Sequence, residues 1–450
     1  TMAVTNTAFE VAPLERLVHP LPTESANGTA ARRSEAFAWI AEHGMPTRHD
    51  EPWHYSPHNE LGTAMGNAAP AQARSVDPST IESLAGQHGG PRLVFVNGFY
   101  SADLSDPATS SEVWCGPGGQ VPSEQHSLVE TAEAREFTDG FHALNRADGG
   151  EAAVVIAAPG STTDAPIHIV HLTAPGDTLE VAHPRTVIVI GQNASAAIIE
   201  SFVGLDGAAL RNTDTTISLG ADATLTHHRV QTEAGEAIHI GHTDVIQAAN
   251  STLMSTSVMF GARIARNAFR VEFTGEHATA NLSGIQVLNE GQRHDTMITA
   301  DHRASSCYSD QEFKSVIEER SRSSFSGHII VRPGVVDTDA HQTNRNLLLS
   351  PNGQADTRPW LEIFADDVRC THGATVGRLD DEALFYLRSR GIEADLARSM
   401  LIDAFIREVI DTVKPKSLRD HLKAIVAAKH AEVSIGHDDL HREAKRLDAS

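Results

Sequence analysis

The sequence predicts a mainly β protein whose core is a parallel β-helix, with helical regions at both ends. Two observations support this prediction. From about Ala152 to Val368 the chain consists of short β-branched runs separated by Gly, Asn, Asp and Ser. Within that stretch a local pattern returns at a nearly constant interval. We therefore predict an N-terminal helical or mixed region at residues 1–150, the β-helix at 151–376 and a C-terminal helical domain at 377–450.

The repeating pattern is a turn residue, then a small residue or Asn, then Ser or Thr. Four copies begin at Gly191, Gly220, Gln247 and Gly275, in steps of 29, 27 and 28 residues, and a fifth is expected to begin at Asp301. Each coil of a β-helix buries its apolar face by stacking on the next coil, which requires such a period. An antiparallel sandwich would show similar strands without a fixed period. The repeat therefore favours the β-helix.

Helices are predicted on both sides of this core. The amphipathic run Ala30–Glu42 predicts a helix, and Arg92–Tyr100 predicts a short apolar strand that turns at an Asn-Gly pair. Beyond the core, Asp381–Arg390 and Glu393–Val413 predict two helices. The second has a broad apolar stripe, which must pack on the β-core or on another chain. The charged segment His437–Ser450 is expected to be frayed or solvated.

The composition is typical of a globular protein outside the membrane. The chain has 450 residues, 40% of them hydrophobic, and no apolar run of the roughly 18 residues that a membrane span needs. Its net charge of −23 disfavours nucleic acid as a partner. The N-terminus has no secretory signal pattern, and the three cysteines are too widely separated for a disulfide framework. We therefore expect a cytoplasmic protein.

One Cys-x-His pair is the candidate metal-binding site of the sequence. Cys370 and His372 lie in a strand-like run, and residues two apart in a strand point to the same face. Both side chains are soft or borderline metal ligands. Two ligands cannot complete a four-ligand iron–sulfur site, and the chain has neither a C-x-x-C pair nor a G-x-x-x-x-G-K-[ST] loop. A cluster would have to be shared with a partner, and a nucleotide-driven cycle would need a separate ATPase.

Other conspicuous side chains are expected to be structural. The histidines His227, His228, His239 and His242 have no carboxylate partner nearby in sequence, and we expect them to be solvated surface groups rather than ligands. The aromatic residues in the EPWHYSP segment are expected to pack, because aromatic side chains usually serve burial.

The stretch from Pro359 to Ile392 resembles the signature of the SufB/SufD family of iron–sulfur cluster assembly proteins. That signature has a Cys-Ser-His-Gly-Ala-Thr-like core followed by a Phe-Tyr-Leu-x-Ser-Arg-Gly-Ile-like helix, and here Thr371 replaces the usual Ser. The likeness covers most of the chain, is strongest from Phe325 to Val413, and favours the SufD branch because of the segment Gly44–Pro57 (GMPTRHDEPWHYSP). It implies a right-handed parallel β-helix between two helical domains.

The resemblance also implies partners. A SufB-like paralogue would pair with the chain through the β-helices, and a SufC-like ATPase would bind its C-terminal helices. The chain alone would be a non-catalytic scaffold component with no stably bound cofactor, because the transient iron–sulfur cluster is shared with SufB and ATP is bound by SufC. His372 is the candidate ligand for the shared cluster or iron, and Cys370 is a weaker candidate. The candidate contacts to the ATPase are Phe385, Tyr386, Arg390 and Phe405.

Two alternatives remain at this point. A β-helix carbohydrate-active enzyme is disfavoured by the missing secretory signal and by an aromatic content of only 5%. The paralogous SufB role would call for further cluster-handling cysteines in the core, which has only Cys307. The sequence leaves open the cluster type, the iron and sulfur donors, the role of the charged tail, and whether the isolated chain is a monomer or a homodimer.

Overall fold

The protein folds as a parallel β-helix with helices at its two ends, as the sequence predicts. The computed structural model describes residues 14–20, 27–110 and 112–428. The charged segment His437–Ser450 lies outside these described residues. None of the helices in the described ranges qualifies as a membrane span.

The strands are short and regular through the core. In chain order they are β1 (Ala69–Pro70), β2 (Arg92–Val96), β3 (Phe99–Tyr100), β4 (Ala108–Thr109), β5 (Val113–Pro117), β6 (Ala152–Ala157), β7 (Ile167–Thr173), β8 (Glu180–Ala182), β9 (Arg185–Ile190), β10 (Ser195–Gly204), β11 (Ala209–Leu219), β12 (Thr224–Thr232), β13 (Ile238–Gln247), β14 (Thr252–Met259), β15 (Ile264–Phe273), β16 (Thr279–Leu288), β17 (Arg293–His302), β18 (Tyr308–Ile317), β19 (Arg322–Val331), β20 (Thr338–Leu348), β21 (Gln354–Ile363) and β22 (Val368–Gly377).

Alternate strands belong to two facing sheets. The main path of sheet A runs β4-β5-β6-β9-β11-β13-β15-β17-β19-β21, with β1 and β8 attached beside β11. Sheet B runs β3-β2-β7-β10-β12-β14-β16-β18-β20-β22. From β6 in sheet A and β7 in sheet B onward, neighbouring strands on these paths are parallel, so each coil contributes one strand to each sheet. Coil stacks on coil, which is the arrangement that the sequence period requires.

The period corresponds to one repeated turn. Before successive strands of sheet B, a single non-glycine residue adopts the left-handed conformation with φ between 55° and 61°: Asn193, Asp222, Asn250, His277, Ser306 and Asp337. Its N–H continues the ladder to the next coil, as when Asn193 donates to the Ala221 carbonyl at 2.9 Å. Asn and Asp tolerate this conformation better than most residues. The fifth copy turns at Ser306, so its start is three residues later than the predicted Asp301.

Helices precede and follow the central strands of the solenoid. They are α1 (Asn27–His43), α2 (His58–Asn67), α3 (Pro78–Ala85), α4 (His126–Glu133), α5 (Gly140–Ala147), α6 (Asp381–Ser389) and α7 (Ala394–Ile410), followed by a helix over 416–428. Short 3₁₀ turns occupy Glu51–Trp53, Ala102–Leu104, Gly118–Gln120 and Ser123–Gln125. The helices predicted at Ala30–Glu42, Asp381–Arg390 and Glu393–Val413 are all present, with bounds that differ by a few residues.

The N-terminal region also contributes strands to the core. The predicted hairpin is formed by β2 and β3, with Asn97 (φ 55°) and Gly98 (φ 88°) in its turn, and β2 pairs with β7. Strand β5 likewise pairs with β6 in sheet A. Residues before 150 therefore extend both sheets, and the domain division at 150/151 and 376/377 stays a prediction.

The C-terminal helix α7 packs on the outer face of sheet B. Its buried residues include Ile402, Ile406 and Val409, which contact outward side chains of the sheet such as Val230 and Ile285. Strand residue Lys314 is buried beneath the helix and pairs with Glu408. Burial of this apolar face, together with the ion pair, fixes α7 relative to the last coils.

Candidate functional site

Both strands of the last coil, β21 and β22, are edge strands of their sheets. Strand β21 pairs with β19 and strand β22 pairs with β20, and no strand in the described ranges pairs with their other edges. We call this end of the solenoid the open end. A strand edge of this kind presents a row of N–H and C=O groups to any chain that can pair with it.

Cys370 and His372 lie together on β22 at the open end. Their register partners on β20 are Ala340 and Gln342, both of which are buried inside the solenoid. Thr371, between them, points the other way, and its hydroxyl lies 2.7 Å from Nδ1 of His341. Cys370 and His372 therefore share the inward face of the last strand, as their spacing predicts.

The two side chains differ in their surroundings. Cys370 is half-buried and packs against the apolar core, and burial together with the Asp339 carboxylate raises the pKa of its thiol. His372 is exposed. No group of three or more His, Cys, Asp or Glu residues suited to a metal ion occurs among the residues that the structure describes. Cys370 and His372 supply two candidate ligands, and a four-ligand site would need two more.

Large apolar side chains are also exposed on the last coils. Phe364, at the end of β21, is 56% exposed, and the large side chains of Val336, Ile363 and Val376 are exposed as well. Val376 lies on the same inward face of β22 as His372, because the two residues are four positions apart in a strand. The inner face of the solenoid is thus uncovered at this end. Exposed apolar surface next to two strand edges is characteristic of an interaction site.

A second exposed apolar surface lies on α6 and α7. Phe385 is 73% exposed and Tyr386 is 58% exposed, and the Arg390 guanidinium lies 5.1 Å from the Tyr386 ring centre. Leu396 and Met400 of α7 are exposed on the same helical pair. The apolar stripe predicted for α7 is therefore divided between a face packed on the solenoid and a face in solvent.

Phe405 differs from the other predicted ATPase contacts. It is half-buried against sheet B, with the Lys314 ammonium 5.0 Å from its ring centre. Its observed contacts thus hold α7 on the solenoid.

The expectation that the histidines of the β-region are solvated is wrong. His227, His228, His239 and His242 are all buried. Carboxylates pair with three of them: Glu200 with His227 at 2.9 Å, Glu233 with His239 at 2.7 Å and Asp139 with His242 at 2.9 Å. In β12 the polar residues His227, Arg229 and Gln231 occupy every second position, so they share one face of the strand. This spacing is the sequence pattern from which a polar strip inside the solenoid could have been predicted.

This interior strip stays charged by mutual pairing. Burial alone would raise the pKa of Glu200, but the hydrogen bond from His227 and the electrostatic interaction with that residue lower it to about 2. Burial lowers the pKa of Arg229 to about 10, so its guanidinium remains protonated at neutral pH. Its Nη2 also contacts the ring of His239 at 2.5 Å. Such buried charges tie neighbouring coils to one another.

Comparison with known proteins agrees with this architecture. Residues 171–405 match the family described as "SUF system FeS cluster assembly, SufBD core domain". The chain is 31% identical to the iron–sulfur cluster assembly protein SufD of Escherichia coli K12 over 389 residues, which cover 86% of this chain and 89% of that protein. The chain belongs to the SufB/SufD family.

Other members of the SufB/SufD family cover a similar length. A SufBD family iron–sulfur cluster assembly protein of Synechocystis is 30% identical over 88% of this chain and 90% of its own length. The chloroplastic protein ABCI7 of Arabidopsis thaliana is 26% identical over 90% of this chain and 86% of its own. This SufB/SufD family member is thus a SufD-type component of iron–sulfur cluster assembly, and neither the carbohydrate-enzyme alternative nor the SufB alternative is supported.

Proposed function

We propose that this SufD-type protein is a non-catalytic subunit that pairs with a SufB-like paralogue and binds a SufC-like ATPase, so that nascent clusters form on the assembled complex. The observation that carries the proposal is the presence of two separate exposed apolar surfaces, one at the open end and one on α6 and α7. The acidic, cysteine-poor composition supports a cytoplasmic location.

Pairing through the open end is supported by its geometry. Strands β21 and β22 each span ten residues and have one unpaired edge within the described chain, so a second β-helix can continue both sheets. The exposed side chains of Phe364 and Val376 would then be buried between the two solenoids. A SufB-like paralogue is the proposed occupant, and a second copy of this chain would use the same edges when it is isolated.

His372 is the proposed ligand for the cluster or iron at this interface, with Cys370 in a weaker, assisting role. The exposed imidazole faces the position that a partner solenoid would occupy, and a neutral imidazole is a good ligand for iron. Cys370 is partly covered by the core and its thiol is disfavoured from ionising. The cluster is the cargo of the complex, held transiently and shared with the partner.

Recruitment of the ATPase is assigned to α6 and α7. Phe385, Tyr386 and Arg390 protrude from α6, and Leu396 and Met400 extend the same surface along α7. An amphipathic helix that is already fixed on one side can place its free apolar residues in a groove of a partner. The sequence contains no phosphate-binding loop, so the nucleotide would be bound by the ATPase.

Co-purification with untagged SufB and SufC proteins tests the two surfaces separately. Phe364→Asp with Val376→Asp should remove SufB and leave SufC bound, whereas Phe385→Asp with Leu396→Asp should remove SufC and leave SufB bound. Leu128→Asp, at an exposed leucine of α4, is the matched control and should retain both partners. If both double variants kept both partners, or if each lost both partners while remaining folded, the assignment of surfaces would be overturned.

A further inference from the structure

The two strands at the open end differ in what they present at their free edges. Strands β21 and β22 each span ten residues, and neither has a partner on its outer side within the described ranges. In a strand, the N–H and C=O groups of one residue point to the same side, and those of the next residue point to the opposite side. Every second residue of each strand is therefore directed to the free edge.

The free edge of β21 is interrupted by a proline. The N–H of Gln354 donates to the Ser321 carbonyl at 3.0 Å, and the N–H of Phe364 donates to the Val331 carbonyl at 2.9 Å. The register between β21 and β19 is unbroken, so even-numbered residues face β19 and odd-numbered residues face the free edge. The odd-numbered residues are Ala355, Thr357, Pro359, Leu361 and Ile363. Because proline has no N–H, the middle position of this edge, at Pro359, cannot donate to a neighbouring strand.

The free edge of β22 has a donor at every such position. The N–H of Asp339 in β20 donates to the Cys307 carbonyl of the preceding coil at 3.0 Å, so the even-numbered residues of β20 face β22. In a parallel pair a residue bonds to the two neighbours of its register partner, and Asp339 is the register partner of Arg369. The odd-numbered residues of β22 therefore face β20. The even-numbered residues, none of them a proline, face the free edge: Val368, Cys370, His372, Ala374 and Val376.

The side chains of the two strands differ in the same direction. Strand β21 carries Asp356, Arg358 and Glu362, and the Arg358 guanidinium pairs with Glu51 of the N-terminal region. Proline and charged side chains are common means of keeping an edge strand from pairing. Strand β22 is exposed over most of its length and has Arg369 as its only Asp, Glu, Lys or Arg residue. Strand β21 thus has the features of an edge protected from pairing, and β22 lacks them.

We propose, on the basis of the proposed subunit pairing through the open end, that the SufB-like partner adds an edge strand of its solenoid along β22, whereas Pro359 interrupts pairing along β21. Sheet B would then carry an unbroken ladder of main-chain hydrogen bonds between the subunits, and the middle of sheet A would meet the partner through side chains. The main-chain groups of Cys370 and His372 would bond to the added strand. Two copies of this chain that met at β21 would both lack the same donor, so Pro359 also weakens self-pairing.

Proline substitutions at matched free-edge positions test the role of each strand in the full-length chain. Ala374→Pro removes a free-edge N–H from β22, and Ala355→Pro removes one from β21. Proline is tolerated at such positions, because the lost N–H has no partner strand in the isolated chain. Ala374→Pro should weaken binding of a SufB-like paralogue about tenfold or more, and Ala355→Pro should stay within about twofold. Titration calorimetry measures the affinities, and thermal unfolding checks that each variant is folded.

Pro359→Ala tests the interruption from the opposite direction. It restores an N–H at the middle of the free edge of β21 and should tighten binding of the paralogue about two- to tenfold. Self-association of the isolated chain, measured by sedimentation, should increase as well. Pro333→Ala, at an exposed turn between β19 and β20, is the matched control and should change neither quantity.

The outcomes separate this proposal from the proposed function. If Ala374→Pro and Ala355→Pro weakened binding equally, or if Pro359→Ala behaved like Pro333→Ala, the two edges would be equivalent and the proposal would be wrong. Pairing through the open end would stand in both cases. If the parent chain did not bind the paralogue at all, the proposed function would be overturned, and the assignment of the β22 edge with it.

Discussion

The Oε2 atom of Glu200 lies 2.9 Å from Nε2 of His227 inside the solenoid, and neither side chain is exposed to solvent. The two residues lie on the adjacent strands β10 and β12, two register positions apart, and the Thr215 hydroxyl donates to the same carboxylate from the opposite sheet. Arg229 is the direct register partner of Glu200 on β12. One carboxylate thus joins two coils and both sheets.

Removing this carboxylate should be strongly destabilising. In a Glu200→Ala protein the buried cations of this strip would lose a counter-charge, and loss of one partner of a buried pair costs about 3–5 kcal/mol. Urea unfolding measures the change in free energy. Glu236→Ala, at an exposed glutamate, is the control and should stay within about 0.5 kcal/mol of the parent. A loss below about 1 kcal/mol for Glu200→Ala would mean that the pair contributes little to stability.

The left-handed turn of each coil should limit which side chains it accepts. Asn193 is exposed and has a φ of 57°. Asn193→Gly should leave stability nearly unchanged, because glycine adopts this conformation readily. Asn193→Val should cost about 1–2 kcal/mol, since a β-branched residue is strained there. Equal unfolding free energies for the two variants would show that the turn relaxes into another conformation.

His228 should make the protein less stable in acid. The ring is buried, both of its nitrogens lack partners, and burial lowers its pKa from 6.5 to about 3. As the pH falls below 6.5, the histidine is protonated in the unfolded chain but remains neutral in the folded protein. The contribution of this ring to the free energy of unfolding is therefore fully present above pH 6.5 and is lost progressively toward pH 3. His228→Leu should remove this component, on the order of 5 kcal/mol, from the pH dependence of unfolding.

Exposed His54 provides the comparison for that measurement. His54→Leu should retain the parental slope of unfolding free energy against pH. If His228→Leu retained the same slope as well, the buried ring would not be responsible for acid sensitivity.

His372 should serve the assembled complex rather than the fold. His372→Ala should leave unfolding and partner binding unchanged, because the side chain is exposed, and should lower cluster retention by the complex at least about tenfold. The sulfide-to-iron charge-transfer absorbance after anaerobic reconstitution measures this retention. Cys370→Ser should have a smaller effect.

Thr371→Ala is the control for a general disturbance of β22, because the Thr371 side chain points to the face opposite that of His372. It should retain the parental absorbance. If the His372→Ala protein failed to assemble with its partners, the histidine would be a structural residue of the interface. If its complex kept the full charge-transfer absorbance, the histidine would not be a cluster ligand.

The positions of Cys370 and His372 show how far local pattern is informative. Their two-residue spacing in an extended run places them on one face whatever the rest of the chain does, and the structure has them there. The β-helix was predictable for a similar reason, because each coil repeats one local turn, and turn residues such as Asn193 and Asp222 are visible in the sequence.

Burial and pairing were decided only by the tertiary structure. Glu200 and His227 are 27 residues apart, and Asp139 and His242 are 103 apart, so these pairs form only after the coils have stacked and the N-terminal region has packed on sheet A. A polar residue is costly to bury unless a partner reaches it, and no local pattern identifies that partner. The sequence by itself determined the coil, its turn and the Cys-x-His face, whereas long-range packing determined which histidines are buried, which carboxylates pair with them, and which side of α7 is free.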